Sequence, residues 1–501
     1  METLFQVLTL LSQPKVVLVV LLSAVYGLIV GAMPGLTATM ATALLIPFLF
    51  FLDPLSGLVA IITMEAVAIF AGDIPAVLLR IPGTPSTAAY TDDSYELTKQ
   101  GKGSLVLALD LACSAIGGIL GALAFIVGAS WLIHIATSFT SFEYFWLAVM
   151  GLSGAALLAS GAPLKGTMSA LFGLLLSTVG IDITLGYPRF TFGNINLLGG
   201  ISFIPAMIGL YGVSEVLRQS TQPHFTHAPA PVHSNPLPGT VLQLLRRYKV
   251  QLLRGGFLGT LVGAIPGMGA DIAAWLSYAI AKRFSREPQN FGKGSFEPIV
   301  EAGTANNAAL AAAWIPALVF GIPGDPVTAI VIGVLMMKGL PPGPLLFQQQ
   351  ETLLNGLRAM FILANVLMLP LGYLAIRLAA SLLRIPRNIL MPVTLLLCAV
   401  GAYALENNPF DIGIMLVMGV VGYLMQSHGF PLAPAVLGLV LGPLIEENFM
   451  ISMTKAQGHF REFFSRPVSL LLAAFTLVVW SLPLLASVVR RAPGKPLDAT
   501  G

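Results

Sequence analysis

Uncharged apolar stretches of roughly membrane-spanning length recur along the chain. The clearest are 16–35, 144–164, 190–214, 359–376, 388–405, 412–445 and 467–489. A further stretch, 104–130, is interrupted only by Asp110, and 166–181 is shorter but long enough if tilted. A spanning helix needs about 20 such residues. The spacing therefore predicts an all-α polytopic membrane protein with about 11 to 14 membrane-inserted segments, several broken by Pro and Gly. One stretch is polar and Pro-rich: 219–240 reads QSTQPHFTHAPAPVHSNPLPGT. It predicts a linker running into the basic LLRRYKVQLLR, with Arg246, Arg247, Lys249 and Arg254. No acid occurs from Gln219 to Arg254, which predicts a cytoplasmic linker, and the tail with Arg490, Arg491 and Lys495 reads the same way. The organisation expected is an N-terminal transmembrane repeat over 1–218, a linker and basic amphipathic segment over 219–254, and a C-terminal transmembrane repeat over 255–501. The N-terminal METLFQVLTLLSQPK has no basic run before its apolar part, so no cleaved signal peptide is expected.

Composition sharpens this picture. The chain is 56% hydrophobic and 10% charged, against about 25% charged in soluble domains. A net charge of +3 gives no basic stripe for nucleic acid. Cys113 and Cys398 lie in apolar runs and make neither a disulfide framework nor a Cys-rich metal site. HExxH, GxSxG and GxxxxGK[ST] patterns are absent, which argues against hydrolytic enzymes and against a pump with its own nucleotide site. His224, His227 and His233 fall in the linker, where a surface tract is the simpler reading than a metal site.

The halves resemble each other. Val30-Gly31-Ala32-Met33-Pro34-Gly35 returns 232 residues later as Val262-Gly263-Ala264-Ile265-Pro266-Gly267. Ile81-Pro82-Gly83-Thr84-Pro85 returns 241 residues later as Ile322-Pro323-Gly324-Asp325-Pro326. Gly-Pro pairs are common in membrane helices, but two near-identical pairs in the same order point to a duplication. Matching interruptions in two halves are a pointer to a transporter binding site, and inverted repeats are the usual way to build one at the midplane. The second VGAIPG lies between Arg254 and the basic group Lys282, Arg283, Arg286 and Lys293. Only 27 residues, 255–281, separate these flanks, whereas two full spans need about 40. A re-entrant hairpin with its tip at Pro266-Gly267 fits, and two short tilted helices are the alternative.

A helix broken in mid-membrane exposes N–H groups that suit an anion and carbonyls that suit a cation. Pro34-Gly35 leads into Leu36-Thr37-Ala38-Thr39, and Pro82-Gly83 into Thr84-Pro85-Ser86-Thr87. Pro266-Gly267 leads into Met268-Gly269-Ala270-Asp271, and Pro323-Gly324 into Asp325-Pro326-Val327-Thr328. The small residues either admit substrate to the backbone or allow close helix packing. Polar groups in apolar runs are costly and so are functional candidates. Candidate substrate ligands are Thr37, Arg80, Gly83, Thr84, Ser86, Asn306, Asn307 and Gly324. Candidate cation ligands are Pro34, Gly35, Thr39, Gly267 and Asp271, with Thr37 suited to the cation as well. Arg80 either meets an anion or pairs with Asp73 or Glu65. Asp92, Asp93, Glu96, Lys99 and Lys102 read as a polar segment, with a solvated loop as the plain alternative. Asp110 and Glu406 are lone acids open to a structural reading.

These motifs resemble the large membrane subunit of the tripartite tricarboxylate transporters, the TctA type. The resemblance is carried by GAMPGLTATMATALLIPF, IPGTPSTAAYTDDSYELTKQGKG and RFTFG in the first half. In the second half it is carried by GAIPGMGADIAAWLSYAIAKRFS, FGKGSFEPIVEAGTANNAALAAAWIPALVFGIPGDP, GLPPGPLLF, NNPFDIGIMLVMGVVGYLM and APAVLGLVLGPLIEENF. It implies a bacterial inner-membrane uptake system for small carboxylates driven by Na⁺ or H⁺, with no other cofactor. The implied partners are a periplasmic binding protein and a small membrane subunit of about four helices. The family's PGLT, PGTP, PG-G-A-D, ANN and IPG motifs map onto Pro34–Thr37, Pro82–Pro85, Pro266–Asp271, Ala305–Asn307 and Ile322–Gly324. Departures from the family pattern are Arg80 for an Asn, Phe70-Ala71-Gly72-Asp73 for Tyr-Gly-Gly-Ser and Asp93-Ser94-Tyr95-Glu96 for Asp-Gly-Tyr-Pro. Gly303 stands for a Glu and Met450 for an Arg. Those around the first IPGTP bear on substrate identity. The reading is a secondary transporter; an ion or solute channel and a membrane-embedded enzyme are its rivals.

Overall fold

The computed structural model describes residues 9–33, 36–158, 163–221, 238–382 and 387–491. These are overwhelmingly helical, and the one sheet among the described residues is a two-residue antiparallel pairing of β1 (Gly180–Ile181) with β2 (Pro188–Arg189). Among the described residues, six helical stretches are long and apolar enough to cross a membrane, and five shorter apolar helices accompany them. Large side chains such as Leu22, Val127, Leu171, Leu396 and Leu471 stand exposed on the outside. In water that surface would be a liability; in lipid it is the expected boundary. The chain is an all-α multi-pass membrane protein.

The first half opens with α1 (Pro14–Gly31) and α2 (Ala38–Phe50). The Tyr26 hydroxyl donates to the Ala41 carbonyl at 3.0 Å, which fixes the two helices as an antiparallel hairpin. Pro34 and Gly35, at its tip, lie outside the described residues. Next come α3 (Pro54–Ala71) and α4 (Asp73–Leu79), then the tight turn Thr87–Ala89, α5 (Thr91–Lys99) and the long α6 (Gly103–Ala136). α7 (Ser141–Leu158) and α8 (Pro163–Ser177) follow. The half ends with α9 (Phe203–Met207), a π-helical turn over Ile208–Val213, and α10 (Ser214–Thr221). Most of the expected linker lies outside the described residues.

The second half begins with the amphipathic α11 (Pro238–Arg247). α12 (Lys249–Gly263) and α13 (Gly269–Phe284) form the second hairpin; α12 starts ahead of position 255. At about 1.5 Å per residue each helix is about 22–24 Å long, short of a hydrocarbon core of about 30 Å. Then come α14 (Phe296–Phe320), α15 (Pro326–Met337), α16 (Pro344–Gln349) and α17 (Glu351–Leu382). The chain closes with α18 (Arg387–Glu406), α19 (Pro409–Ser427), α20 (Leu432–Lys455) and α21 (Pro467–Arg491).

Small residues set the seams, because only they let two helix backbones touch. An added Cβ at Gly27 or Gly31 of α1 would strike the backbone of Met64 or Ala68 on α3. At Gly259 or Gly263 of α12 it would strike Ala305 or Ala309 on α14. These contacts are the same ones at the offsets of 232 and 241, so the duplication extends from motif to packing. Position numbers rise together along each seam, so α1 runs parallel to α3 and α12 parallel to α14.

The relative direction of the halves follows from two more seams. Gly117 and Gly121 of α6 abut Thr304 and Ala308 of α14, a parallel pair. α17 runs antiparallel to α6, with Gly372 against Leu111 and Asn365 against Gly118, and parallel to α3, with Gly356 against Leu55 and Gly372 against Phe70. α3 and α14 are therefore antiparallel. The two halves are inverted, and each lends its long helix to the other: α6 packs on α14, and α17 on α3.

Candidate functional site

The two IPG turns end the antiparallel helices α4 and α14 in the same way. Arg80 and Gly321 each take the left-handed conformation, with φ of 59° and 70°. Their N–H groups reach the carbonyls of Ala76 and Ala317, and the next N–H groups those of Pro75 and Pro316. This is the αL helix end that glycine ordinarily supplies. Gly83 and Gly324 then press against Gly72 and Ala313, where a Cβ would meet backbone. Their smallness is thus required by packing.

Beyond each turn the chain is capped alike. The Thr87 N–H donates to the Thr84 hydroxyl at 3.2 Å. The Thr328 N–H donates to Asp325 Oδ1 at 2.8 Å, and the Asp325 N–H returns a bond to the Thr328 hydroxyl at 2.9 Å. This reciprocal capping box starts α15. The Thr84 hydroxyl also pairs with those of Ser86 and Thr87, at 2.8 and 2.7 Å.

α13 joins the two turns. At its start the Gly267 N–H donates to the Pro323 carbonyl at 3.3 Å, and Gly267, with φ of 78°, has no room for a side chain against Gly151 of α7. One turn on, Asp271 interacts with the N–H and hydroxyl of Ser86 from the other half. Further along, the Trp275 indole donates to the Pro85 carbonyl at 3.1 Å. Asp271 is solvent-accessible. Gly267, Asp271, Thr84, Ser86 and Gly324 are thus brought into one region. Thr37 caps α2 by accepting from the Met40 N–H at 3.3 Å, and Thr39 stands where the repeat puts Asp271 in the second half.

Arg80 is placed differently from the ion pair expected within its own half. It pairs with neither Asp73 nor Glu65; its guanidinium meets Asp92, Nε at 2.9 Å and the terminal nitrogen at 2.8 Å, at an exposed position. The polar segment beyond it is also no loop. It forms α5, and the buried Asp93 carboxylate collects the N–H groups of Gly292, Gly294 and Ser295 at 2.9 to 3.1 Å. This ties the TDDSYE and FGKGS motifs together. Arg189 of RFTFG similarly makes a two-pronged pair with Glu446 of LIEENF, at 2.5 and 3.0 Å.

Asn306 and Asn307 sit in the middle of α14. Asn306 is completely buried with neither amide atom partnered, and Asn307 makes only a long bond to the Gly303 carbonyl, 3.5 Å. An unpaired buried amide is expensive, so its vacant hydrogen-bonding capacity needs an explanation of the kind a ligand provides.

Three residues near this region were not among the ligands expected from sequence. Glu65 is buried on α3, receives the Trp314 indole N–H at 3.3 Å, and lies within electrostatic reach of Asp325. Asp325 in turn lies within reach of Asp271. Tyr211, on the π-helical turn, has a buried, unpartnered hydroxyl and lies within electrostatic reach of both aspartates. Such turns are frequent at functional sites, but nothing in IGLYGV announces one. Among the described residues, no three His, Cys, Asp or Glu side chains converge as a metal cluster. A cation here would have to be completed by hydroxyls and carbonyls.

Inverted repeats, paired broken helices and polar groups gathered at their junction fit a transporter membrane subunit. The family comparison agrees: residues 17–437 match the tripartite tricarboxylate transporter TctA family, and the chain belongs to that family. The family's protein is the large membrane subunit of a tripartite transporter, a transport component and not an enzyme, and membership implies partner subunits. The chain is 34% identical over 464 residues to an uncharacterized 52.8 kDa protein in the TAR-I ttuC' 3' region of Agrobacterium vitis, covering 92% of each. It is also 36% identical over 230 residues to an uncharacterized protein in the TAR-II ttuC' 3' region of the same organism, covering 46% of this chain and 95% of that one. No solved structure matches it.

Proposed function

We propose that this subunit takes up small di- or tricarboxylates across a bacterial inner membrane, driven by a Na⁺ or H⁺ gradient. A periplasmic binding protein delivers the substrate, and a small membrane subunit of about four helices completes the assembly. The observation that carries this reading is the seat of α13 between the two Pro-Gly turns, which gathers helix N-termini, hydroxyls and acids from both halves. N-termini and the amides of Asn306 and Asn307 suit a carboxylate; Thr37, Thr84 and Ser86 add hydroxyls, and Gly83 and Gly324 keep the backbone close. Asp271, Thr39 and the carbonyl of Gly267 suit a cation, and the Pro34-Gly35 motif is proposed for the same task. Arg80, outside this group, suits an entry role in which substrate replaces Asp92. Repeats over 1–218 and 255–501 rock about the site, with the 219–254 segment and the tail in the cytoplasm.

The test is uptake by proteoliposomes holding all three components, with labelled di- and tricarboxylates and imposed Na⁺ or pH gradients. Saturable uptake that requires both the binding protein and a gradient is expected. Downhill flux without either would make the protein a channel. Replacing Asn306 and Asn307 together by Ala should abolish uptake and leave insertion intact; normal uptake would remove them from the site.

A further inference from the structure

Asp73 and Asp110 are buried acids to which the site above gives no task. Asp73 opens α4 and Asp110 lies in α6; they are 0% and 1% exposed. Their carboxyl groups lie within hydrogen-bonding reach of each other. The Tyr90 hydroxyl donates to Asp73 Oδ1 at 2.9 Å, and Thr87 also reaches Asp73. Asp73 Oδ2 and both oxygens of Asp110 have no donor. Neither acid belongs to any ion pair among the described residues.

α14 closes this chamber with unpartnered polar groups. A Cβ at Gly303 would lie 2.7 Å from Asp110 Oδ1, so this face of α14 abuts the acid. Asn306 is one turn on, completely buried with both amide atoms free. By the repeat offset, Asn306 and Asp73 are the counterparts of Glu65 and Trp314, which touch. Ser114, one turn beyond Asp110 on α6, is likewise buried and unpartnered.

Two carboxylates this close in a dry site cannot both stay ionised. One proton between them turns two acceptors into a donor and an acceptor and leaves a single charge, to which the Tyr90 hydroxyl donates. A hard cation gathers about six or more oxygens, and the helical backbone of α6 and α14 has none to spare here. The surroundings offer no countercharge. Tyr90 and Cys113 are the titratable neighbours, Glu301 on α14 is turned to Arg254, Asp93 on α5 is held by the 292–295 loop, and α17 presents Met368, Leu371 and Ala375. We infer that Asp73 and Asp110 form a proton-binding pair that holds one shared proton at neutral pH, separate from the Glu65, Asp271 and Asp325 group.

This inference leans on the transport reading only for the use made of the proton. Its test therefore reads the purified full chain alone, without substrate or partners, by infrared difference spectroscopy. At neutral pH the wild type should show one more protonated-carboxyl C=O equivalent than the Asp73→Asn/Asp110→Asn double variant, with a downshift in D₂O. In the wild type that component should vanish as pH is raised, a result that needs no variant to fold. A difference of no equivalent, or of two, between wild type and double variant would overturn the assignment. So would loss of the component on adding Na⁺ at fixed pH, which would make the pair a cation site. Glu65→Gln should leave it in place; its disappearance there would move the proton to Glu65.

Discussion

The two halves share a backbone and divide the chemistry. At equivalent positions Thr63 and Thr304 both bond back to the preceding turn, at 2.8 and 2.6 Å. Pro75 and Pro316, and Thr87 and Thr328, keep the same roles. Yet Glu65 stands opposite Asn306, Asp73 opposite Trp314, Thr84 opposite Asp325 and Thr39 opposite Asp271. Each of these four pairs sets an acid against an uncharged polar group or an indole, and the acid is not always in the same half. Symmetry supplies the broken helices; asymmetry decides which chamber holds charge. A duplicated pair of identical sites would have no reason to separate a cation from an anion.

If the seams are truly equivalent, they should fail equally. Gly27→Val and Gly259→Val both force a side chain into helix backbone. Overpacking a core by a few methylenes costs about 1–3 kcal/mol, and backbone yields less than side chain. Both variants should lose most of their monodisperse folded protein in size-exclusion chromatography. Loss in one half only would show that the halves do not carry load alike.

The next comparison concerns a pair that only the second half has. Arg254 on α12 meets the fully buried Glu301 on α14, Nε to Oε1 at 2.7 Å. The first half has Leu22 and Ala60 there. Arg254→Leu should cost about 3–5 kcal/mol by stranding a buried charge. Adding Glu301→Ala should return most of it, since the double variant copies the first half. Thermal unfolding of the three proteins gives the coupling; an uncorrected double variant would mean that the ion pair does more than neutralise itself.

How much of this was legible beforehand depended on what the residues encode locally. Pro and Gly punctuate backbone directly, so the two motif offsets were readable and led to the right broken helices. The extension Ile74-Pro75-Ala76 to Ile315-Pro316-Ala317 was there to be read as well. Orientation was not, because an offset is the same for parallel and inverted repeats; it took the seams of α6 and α17. Partners across the junction were hidden for the same reason. Asp271 with Ser86, and Asp73 with Asp110, meet only once the halves are inverted and packed. Arg80 misled because the acids that precede it in sequence, Glu65 and Asp73, are buried, while Asp92 stands exposed with it.

That αL turn offers a smaller contrast. Arg80 holds a conformation that Gly321 adopts freely. Arg80→Gly should raise the melting temperature slightly, even without the exposed Asp92 pair. If Arg80 receives substrate, uptake should fall in the same variant, and the half-saturating substrate concentration should rise. A variant more stable and equally active would leave Arg80 with no task beyond its surface pair.

The smallest difference lies at the starts of α3 and α14. Asp53 caps α3, accepting from the Ser56 N–H at 3.0 Å, whereas Ser295 caps α14. Burial alone would raise the Asp53 carboxyl, but the Lys15 ammonium, 2.6 Å away, and Ser56 outweigh it and hold it at about 2. A carboxyl lowered on folding contributes stability that is present above its ordinary value near 4 and lost as pH falls towards 2. The pair is half exposed, so the effect should be under about 1 kcal/mol. Asp53→Ser makes the two caps alike. It should keep most of the capping, which is worth about 1 kcal/mol, while removing this part of the acid sensitivity. Melting curves between pH 5 and pH 2, extremes at which only a mild denaturation slope is compared, would show the variant and the wild type converging at the acid end. Curves that stay parallel would mean that Asp53 acts as a neutral cap, and that Lys15 contributes nothing to the start of α3.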